Sequence, residues 1–392
     1  MLAITAATVV SAAGHGVQAL WDATLQGRSA LRRNDLDWCD LPCWIGTVPG
    51  VDDAALARQL GVWDCRNHRL AWLALSDVGF RAALARCVGK HGAHRVGLVL
   101  GTSTGGIRST EEAYSQWRQS TPPQWPAGFD WRRTHAIDAL PRLCAEQMGL
   151  QGPMVTISTA CSSSAKVFLT AQRWLDAGLV DAAVVGGVDS LCLSTLQGFD
   201  ALQLLSAEPC RPFDARRSGI SIGEAGGFAL LERDGGAWRL LGGGESSDAW
   251  HMSTPHPQGL GAQEAMREAL ERAQLQPGDI GYVNAHGTAT PVNDRAEAAA
   301  LSAVFGSHKV PVSSTKGVTG HALGAAGIVE AIVALGALDR QALPPTANLQ
   351  CVDDALAVDV VTAPRPAPLR RAMSSNFGFG GSNCTLIFGR AD

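Results

Sequence analysis

The chain has 392 residues, a hydrophobic content of 46%, a charged content of 17% and a formal net charge of −4 at pH 7. This length exceeds the usual size of one compact core, so two domains or a duplicated architecture are expected. The hydrophobic content excludes a disordered chain, and the negative charge does not favour a nucleic-acid or anionic-membrane partner, because such partners require a basic excess.

The cysteine pattern indicates a reducing compartment. Ten cysteines are spread along the chain without a CxxC pair, and Cys39 and Cys43, the closest two, have no second pair or histidine cluster nearby. We therefore predict no metal site and reduced thiols in a cytoplasmic protein. No membrane span is predicted, because no apolar run approaches the roughly 20 residues that cross a bilayer.

Apolar runs alternate with helical patterns along the chain, which is typical of βαβ units. The start, "MLAITAATVVSAAGHGV", lacks the basic segment of a signal peptide and is interpreted as a first strand and turn. A Gly pair in "LERDGGAWRL" indicates a seam near residues 234–237, which divides the chain into 1–235 and 236–392. Further strands are predicted in "RVGLVLGTS", "MVTISTA", "DAAVVGGVDS" and "GGFALLER", and helices in "ALARQLG" and "QRWLDAG".

The segment "VTISTACSSSAKVFLTAQRWLDAG" places Cys161 between a predicted strand over 155–158 and a predicted helix over 165–175. The first turn of a helix has unpaired N–H groups and the positive end of the helix dipole, which favour an anion and lower a thiol pKa. Cys161 is therefore the candidate nucleophile. On this segment alone, the alternative is a small buried hydrophobic residue.

The segment "YVNAHGTATPVNDRAEAAAL" places His286 at the end of a strand-like run, where sites collect in open α/β proteins. Asp294 and Glu297 follow it and are expected to hold the loop or open the next helix. A core histidine with one hydrogen bond is an equally good interpretation of this motif alone.

The segment "VPVSSTKGVTGHALGAAGIVEAIVALGAL" is again a strand, a polar turn and a helix of small residues, which suggests a duplicated unit. It carries Lys316, His321 and Glu330 in apolar surroundings. Because burial of an unpaired charge costs several kcal/mol, mutual pairing is expected. The small residues at 324–327 predict the close approach of another backbone.

The segment "MSSNFGFGGSNCTLIF" places Phe379 between Gly378 and Gly380. Flanking glycines let the backbone turn sharply, so that an N–H could point into a site and the ring could swing. A hairpin turn with a packed aromatic side chain is the alternative.

Four segments, "STACSSS", "NAHGTATPVND", "SSTKGVTGHALGAAGIVE" and "NFGFGGSN", occur in the order found in β-ketoacyl-[acyl carrier protein] synthases of the elongating, Cys-His-His type. The chain resembles that family from "ITAATVVSAAG" to "LIFG". The resemblance implies an α/β, thiolase-like fold in which two similar halves form a five-layered α-β-α-β-α body, and a dimer. It also implies an acyltransferase whose partner is an acyl carrier protein bearing acyl and malonyl groups. No cofactor of its own is implied, because the carrier brings the phosphopantetheine.

The resemblance further implies residue roles. Cys161 receives the acyl group, and His286 and His321 stabilise the enolate formed when the malonyl group loses its carboxylate. The N–H groups of Cys161 and Phe379 form the oxyanion hole, and the ring of Phe379 acts as a gate between the malonyl and acyl pockets. The remaining implied residues are Lys316 and Glu330 in support, Thr288 and Thr290 on the pantetheine arm, Phe199 and Phe377 at the substrate, and Thr104 at the acyl pocket across the dimer interface.

Two pairs of arginines match a carrier-docking role in the family. Arg66 and Arg69 in "CRNHRLAW" lie on one helical face by spacing, and Arg132 and Arg133 form a second patch. A solvated helix face is the alternative for any such pair.

Two departures from the family pattern leave the pathway open. "TPPQWPAGFDWRRTHAIDALPRLC" is rich in Trp and Arg, and "SIGEAGGFALLE" carries Glu224 among small apolar residues. Both a housekeeping fatty-acid role and a specialised polyene or polyketide role, as homodimer or heterodimer, are compatible with the sequence.

Three related classes fit the sequence less well. A non-condensing chain length factor would lack the nucleophile, whereas Cys161 and both histidines are present. A thiolase would need a second catalytic cysteine, and Cys384 lacks the required context. An initiating synthase would carry asparagine where His321 stands.

Overall fold

The computed structural model describes residues 1–391 of the chain. The strands in this part are β1 (Leu2–Ser11), β2 (Gly14–His15), β3 (Arg32–Arg33), β4 (Trp44–Gly46), β5 (Val96–Gly101), β6 (Met154–Ile157), β7 (Ala182–Asp189), β8 (Ile222–Gly223), β9 (Ala225–Glu232), β10 (Trp238–Ser247), β11 (Tyr282–Asn284), β12 (Pro311–Ser313), β13 (Ala342–Leu343), β14 (Asp359–Val360), β15 (Arg365–Pro366), β16 (Arg371–Gly378) and β17 (Ser382–Arg390).

The α-helices are α1 (Val17–Leu25), α2 (Arg66–Leu75), α3 (Val78–His91), α4 (Ile107–Gln119), α5 (Ala139–Met148), α6 (Ser163–Asp176), α7 (Leu193–Ala201), α8 (Leu260–Ala273), α9 (Pro291–Phe305), α10 (Lys316–Thr319) and α11 (Ala326–Arg340). Short 3₁₀ helices occur at Arg58–Trp63, Ala93–Arg95, Pro277–Asp279, Leu323–Ala325 and Phe379–Gly381.

The predicted strands are confirmed as β1, β5, β6, β7 and β9, and the helix predicted over 165–175 is confirmed within α6. The prediction of a helix in "ALARQLG" is wrong, because residues 54–57 are irregular and only a 3₁₀ helix follows at Arg58–Trp63. The apolar spacing there reflects a small local core, in which Leu56, Leu60 and Trp63 pack with Leu143 of α5. One irregular turn satisfies that packing, so no α-helix is needed.

The two halves of the sheet have the same topology. In the first half the order is β6-β5-β7-β9-β1, and in the second it is β12-β11-β16-β17-β10. In each half the first two pairings are parallel and the next two are antiparallel. β1 and β10, the first strand of each half, pair antiparallel and join the halves into one sheet. The predicted boundary at 235/236 falls in the turn between β9 and β10 and remains a prediction.

Three large apolar cores lie between the five layers, and the central core covers both sides of the middle helices. Successive residues of the strands alternate between cores: Val99 of β5 faces the central core, whereas Leu98 and Leu100 face an outer one. In the second half Tyr282 of β11 faces the central core and Val283 faces the other outer core. α6 and α11 fill the centre, α2, α3 and α5 cover one outer face, and α8 and α9 cover the other. The expected α-β-α-β-α body is confirmed.

The central helices touch backbone to backbone. A Cβ added to Gly327 of α11 would lie 2.4 Å from the backbone nitrogen of Ala165 in α6. The close approach expected from the small residues at 324–327 is therefore present, and it brings the N-terminal ends of α6 and α11 together. No helix within residues 1–391 has the length and apolarity needed to cross a bilayer.

Candidate active site

Cys161 lies in the tight connection between β6 and α6. Ala160, directly before it, has φ +52°, a left-handed conformation that is uncommon for a residue with a side chain. The hydroxyl of Ser163 holds this turn: it accepts from the N–H of Thr159 at 2.9 Å and donates to the carbonyl of Ala160 at 2.6 Å. Ser163 therefore fixes the strained turn that presents the sulfur of Cys161.

His321 occupies the equivalent place in the second half, between β12 and α11. Its Nε2 lies 3.0 Å from Sγ of Cys161. Its backbone is clamped by the β8 region, since its N–H donates to the carbonyl of Ser221 at 2.8 Å and its carbonyl accepts from the N–H of Gly223 at 2.9 Å. The N–H of Leu323 donates to Nδ1 of His321 at 3.2 Å. In the neutral imidazole the proton therefore resides on Nε2, which faces the sulfur as a donor.

His286 follows β11, and an acidic residue holds its backbone. Both oxygens of Glu297 accept from this loop, from the N–H of His286 at 2.8 Å and of Gly287 at 2.7 Å. Asp294 accepts from the N–H of Ala289 at 3.1 Å. The sequence prediction that these two acids hold the loop is confirmed.

Lys316 fixes the tautomer of His286. Its Nζ lies 3.3 Å from Nδ1 of His286 and also donates to the carbonyl of that residue. Because an ammonium only donates, Nδ1 accepts and the proton of the neutral ring resides on Nε2. Lys316 forms a short buried ion pair with Glu330, whose second oxygen accepts from Asn376 at 2.5 Å. The predicted pairing of Lys316 with Glu330 is confirmed. The histidine that Lys316 contacts is His286, however, and not His321 of the same segment, whose ring contacts Cys161 and Leu323 instead.

Burial and Lys316 keep both imidazoles neutral. Burial, followed by the nearby charge of Lys316, lowers the pKa of His286 and of His321 well below 6.5. The two rings lie 5.3 Å apart between centroids at an interplanar angle of 85°. The Nε2–H groups of two neutral imidazoles therefore lie close together beside the Cys161 sulfur.

Burial raises the pKa of the Cys161 thiol to about 11, and the charge of Lys316 and the N–H of Phe379 only partly oppose this increase. The expectation of a lowered thiol pKa is therefore corrected for the resting site. The physical reason is that Cys161 is only 5% exposed and lies before the first residue of α6. A charged sulfur there loses more hydration than the local donors replace.

A cavity of about 170 Å³ opens onto this group. The predicted residues Phe199, Phe377 and Phe379 line it together with Cys161 and both histidines. The rings of Phe199 and Phe379 lie 5.4 Å apart, and that of Phe377 lies 5.8 Å from His286. A Cβ added to Gly378 would lie 2.8 Å from the carbonyl oxygen of Thr159 and 3.3 Å from the backbone nitrogen of Cys161, so glycine allows the Phe379 turn to lie this close to Cys161.

Comparison with known proteins agrees with this geometry. Sequence models of the β-ketoacyl synthase N-terminal and C-terminal domains match residues 64–237 and 239–350. The chain belongs to the β-ketoacyl synthase family. It is 33% identical to 3-oxoacyl-[acyl-carrier-protein] synthase 2 of Vibrio cholerae, over 99% of this chain and 98% of that protein. It is 35% identical to nodulation protein E of Rhizobium meliloti, over 87% and 86%.

Solved β-ketoacyl synthases have the same fold. The ketosynthase ApeO, in complex with its chain length factor ApeC from Xenorhabdus doucetiae, matches with a TM-score of 0.90 and 37% identity over 100% of this chain and 98% of that one. A β-ketoacyl synthase from Burkholderia phymatum matches with a TM-score of 0.89 and 29% identity over 100% and 99%. The α/β class and the thiolase-like architecture follow from these matches and from the duplicated sheet.

The structure brings some of the other predicted substrate residues to the synthase cavity and leaves one apart. Thr288 and Thr290 line the cavity, with hydroxyl oxygens 3.0 Å apart. Thr104 is not among the residues that line it. Its N–H and hydroxyl donate to Asp189 at 2.9 and 2.8 Å instead. A role for Thr104 across a dimer interface stays a prediction.

Asp189, which the sequence did not single out, ties the two halves together behind Cys161. This buried carboxylate accepts from the backbone of Ser103 at 2.9 and 3.0 Å and from Gly324, close to His321 in the chain, at 2.6 Å. The sequence feature that could have identified Asp189 is its position directly after the apolar run of β7.

Arg66 is paired and largely buried in the structure, and its docking role stays a prediction. Its guanidinium makes a two-pronged ion pair with Glu224 at 2.7 and 2.8 Å, and its side chain is only 10% exposed. Arg69 is paired in the same two-pronged way with Asp64, at 2.7 Å for each contact. Each cation of α2 therefore already has a carboxylate partner within the chain, and Arg69 is the more exposed of the two, at 29%.

The second arginine patch lies at the surface. Arg132 and Arg133 are exposed, and Arg133 lies 3.6 Å from Asp130 and 5.9 Å from the ring centroid of Trp63. The guanidinium of Arg142 lies 5.4 Å from the centroid of the same ring. Of the two predicted docking patches, this one presents the more exposed guanidinium groups.

Two groups of residues in the described chain have donor atoms within 4.8 Å of one another. One is Cys161, His286 and His321, and the other is Cys87, His91 and Glu232. A lysine lies beside each group: Lys316 contacts His286, and Lys90 lies 3.6 Å from Glu232. Because these ammonium groups oppose a bound cation, the expectation that the protein needs no metal is kept as a prediction.

Proposed function

We propose that this protein is a β-ketoacyl-[acyl carrier protein] synthase that elongates an acyl chain by decarboxylative Claisen condensation. The observation that carries the proposal is the arrangement of three side chains around one cavity. The Cys161 sulfur lies 3.0 Å from Nε2 of His321, and both His286 and His321 are held as Nε2–H donors. A nucleophile beside two neutral donors is suited to acyl transfer followed by enolate stabilisation.

In the first half-reaction the Cys161 sulfur attacks the carbonyl carbon of an acyl thioester on the carrier. The resulting tetrahedral oxyanion is held by the backbone N–H groups of Cys161 and Phe379. A donor of this kind is worth roughly 3 kcal/mol in the transition state. Collapse of the intermediate expels the carrier thiolate, which takes up the proton lost by Cys161, and leaves the acyl group on the enzyme.

In the second half-reaction a malonyl thioester places its carbonyl oxygen at the two Nε2–H groups. Loss of carbon dioxide leaves its electron pair in the enolate, whose negative oxygen accepts both hydrogen bonds. The enolate carbon then attacks the Cys161 thioester and expels the sulfur. The product is a β-ketoacyl chain two carbons longer.

The substrate is brought by the carrier, so no cofactor of the enzyme itself is required. Thr288 and Thr290 at the cavity wall would bind the pantetheine arm through their hydroxyls. Arg132 and Arg133, with Arg142 beside them, would attract an acidic carrier protein despite the net charge of −4. Free cysteines throughout the described chain support the cytoplasm as the compartment.

The decisive experiment is acylation followed by peptide mass mapping. Purified protein incubated with a panel of acyl carrier protein thioesters should gain one acyl group on Cys161, and malonyl carrier protein should then release a β-ketoacyl product. Cys144 and Cys384 serve as internal controls because both are fully buried away from the cavity. An acyl group on either of them, with Cys161 free, would refute the assignment.

A second candidate is the catalytic subunit of a heterodimer in a polyene or polyketide pathway. The similarity to a ketosynthase solved with its chain length factor, at 37% identity, favours it. An edge strand is available for a related chain, since β6 ends the sheet and Met154 on it is 47% exposed. Light scattering and the condensation assay, applied to the purified protein, together separate the two candidates. A homodimer that condenses unaided supports the first candidate. A monomer that gains activity when a ketosynthase-like chain is added supports the second.

A further inference from the structure

The ring that touches Phe379 is carried by a weakly packed helix. Phe199 lies on α7 and is 5.4 Å from Phe379 between ring centroids. Leu196 is the fully buried residue of that helix, whereas the rest of α7 is partly or fully exposed. Leu193 and Phe199 also pack, partly buried, against the small apolar cluster that contains Leu196. A two-and-a-half-turn helix with so few apolar contacts depends on its ends as well, so the ends help to determine where Phe199 lies.

The N-terminus of α7 is capped by a carboxylate from a different helix. Cys192, the residue at the cap position, makes no side-chain cap hydrogen bond. The N–H groups of Leu193 and Ser194 instead donate to the two oxygens of Glu111 in α4, at 3.0 and 2.6 Å. An ionised carboxylate on two free N–H groups at the positive end of a helix is a strong anchor.

Glu111 is itself held in place. Arg108, one turn earlier on α4, lies 3.5 Å from it and stacks on the ring of Trp38 at 4.2 Å. The side chain of Glu111 is 14% exposed, whereas that of its neighbour Glu112 is 53% exposed and pairs with Arg108 at 2.9 Å. Glu112 therefore offers a matched control, with the same chemistry on the same helix but no hydrogen bond to α7.

We propose that Glu111 is a positioning residue that fixes α7 and thereby holds the ring of Phe199 against Phe379. The proposal rests on the synthase function, because Phe379 supplies an N–H beside the nucleophile and its ring lines the cavity. Without the cap, α7 loses its orientation, the Phe199 contact is lost, and the Phe379 turn is no longer held in the arrangement that favours attack by Cys161. Glu111 acts through two other residues and touches no substrate.

The test is a double-mutant cycle on the rate of Cys161 acylation by the carrier thioester that the wild-type protein accepts best. Glu111→Ala should slow acylation on the order of tenfold, because a cap worth about 1.4 kcal/mol would no longer favour the arrangement of α7 from which Cys161 reacts. Glu111→Gln keeps one acceptor oxygen and should slow it less, and Glu112→Gln should leave it unchanged. In a Phe199→Ala background Glu111→Ala should have little further effect, because the ring that it positions is absent.

The outcomes separate the inference from the proposed function. A wild-type protein that neither acylates Cys161 nor condenses refutes the function itself. An active wild type whose Glu111→Ala loss is as large in the Phe199→Ala background, or whose Glu111→Ala equals Glu112→Gln, overturns the inference. Circular dichroism and thermal unfolding identify a variant that fails to fold. If Glu111→Ala is such a variant, Glu111→Gln, which removes the fewest atoms, replaces it in the double-mutant cycle.

Discussion

At the scale of single residues, the chemistry of the site depends on which group hydrogen-bonds to Nδ1 of each histidine. The N–H of Leu323 donates to Nδ1 of His321, and the ammonium of Lys316 donates to Nδ1 of His286. Each ring therefore presents Nε2–H to the cavity. His321, although 3.0 Å from the sulfur, is arranged as a donor to it and not as a base.

This arrangement separates the two half-reactions. Cys161→Gln should abolish condensation but retain malonyl decarboxylation, because an amide cannot be acylated yet leaves both histidine donors in place. His321→Ala should do the reverse: loss of one donor to developing charge lowers decarboxylation on the order of 10²–10³-fold, while Cys161 still accepts some acyl chain. Carbon dioxide release and intact-protein mass measure the two steps.

The informative quantity is the residual acylation of His321→Ala. If His286→Ala and His321→Ala each block acylation as completely as Cys161→Ser does, a histidine must serve as the obligatory base. The thiol would then be activated by a Cys-His ion pair, and the assignment of both imidazoles as neutral donors would be wrong.

The thiol of Cys161 should react slowly with alkylating reagents at neutral pH. Because burial raises the pKa of Cys161 to about 11, little thiolate is present near pH 7 and the fraction increases as pH rises toward that value. Iodoacetamide alkylation of Cys161, followed by peptide mass spectrometry, should therefore keep accelerating from about pH 7 to about pH 10. The exposed Cys351 in the same sample reports reagent and digestion efficiency. A rate that levels off below about pH 8.5, the ordinary thiol pKa, would contradict the raised value and restore the helix-start explanation.

At the scale of elements, the buried ion pair between α2 and the segment after β8 accounts for two features that are far apart in the sequence. Glu224 is fully buried and accepts from Arg66 and from the N–H groups of Val48 and Leu191, at 3.0 and 3.1 Å. β8, directly before it, clamps the backbone of His321. The pair therefore supports the segment that holds His321, and we expect Arg66 to contribute to stability.

Arg66→Ala should consequently impair the enzyme with any substrate. Removing one partner of a buried pair leaves an uncompensated charge and costs about 3–5 kcal/mol of the free energy of unfolding. Activity should fall with acyl-pantetheine as much as with acyl carrier protein, measured alongside urea unfolding. The charge reversal Arg132→Glu/Arg133→Glu is the matched comparison: it should raise KM for carrier-bound substrates only. Selective loss with carrier for Arg66→Ala, at unchanged stability, would support the docking role of that residue instead.

Sequence was sufficient where the chemistry is local and insufficient where it depends on distant partners. Cys161 and His321 could be placed because each lies in a short strand-turn-helix segment whose polar and small residues are contiguous. The buried pairing of Arg66 was not foreseen because its partner lies 158 positions further along the chain. Glu111 escaped notice for the same reason, since α7 begins 82 positions later. Packing decides such pairings, and no periodicity reports them.

At the scale of the whole molecule, duplication is what assembles the catalytic group. Cys161 follows β6 in the first half and His321 follows β12 in the second, and α6 and α11 begin just beyond them. Because these helices pack against each other in the central layer, the two connections meet. Asp189 reinforces the meeting point, since this residue of the first half accepts from the N–H of Gly324 in the second half at 2.6 Å. Neither half contains a complete site.

The same central layer predicts how the halves behave apart. Residues 1–235 and 236–392 produced separately should each fail to unfold cooperatively, because each would expose the apolar face that α6 and α11 now bury together and would lose the β1–β10 pairing. Co-production should restore cooperative unfolding and Cys161 acylation, since the divided bond lies in the turn between β9 and β10 and interrupts neither strand. Far-UV circular dichroism during thermal unfolding and acyl mass mapping of the co-purified pair measure both effects.

A cut at 170 in the middle of α6 is the control that should not be rescued, because it breaks the central helix that follows the nucleophile. A single half that melts cooperatively on its own would show that the central layer is an interface between independent domains, and that the predicted boundary separates units which fold without each other.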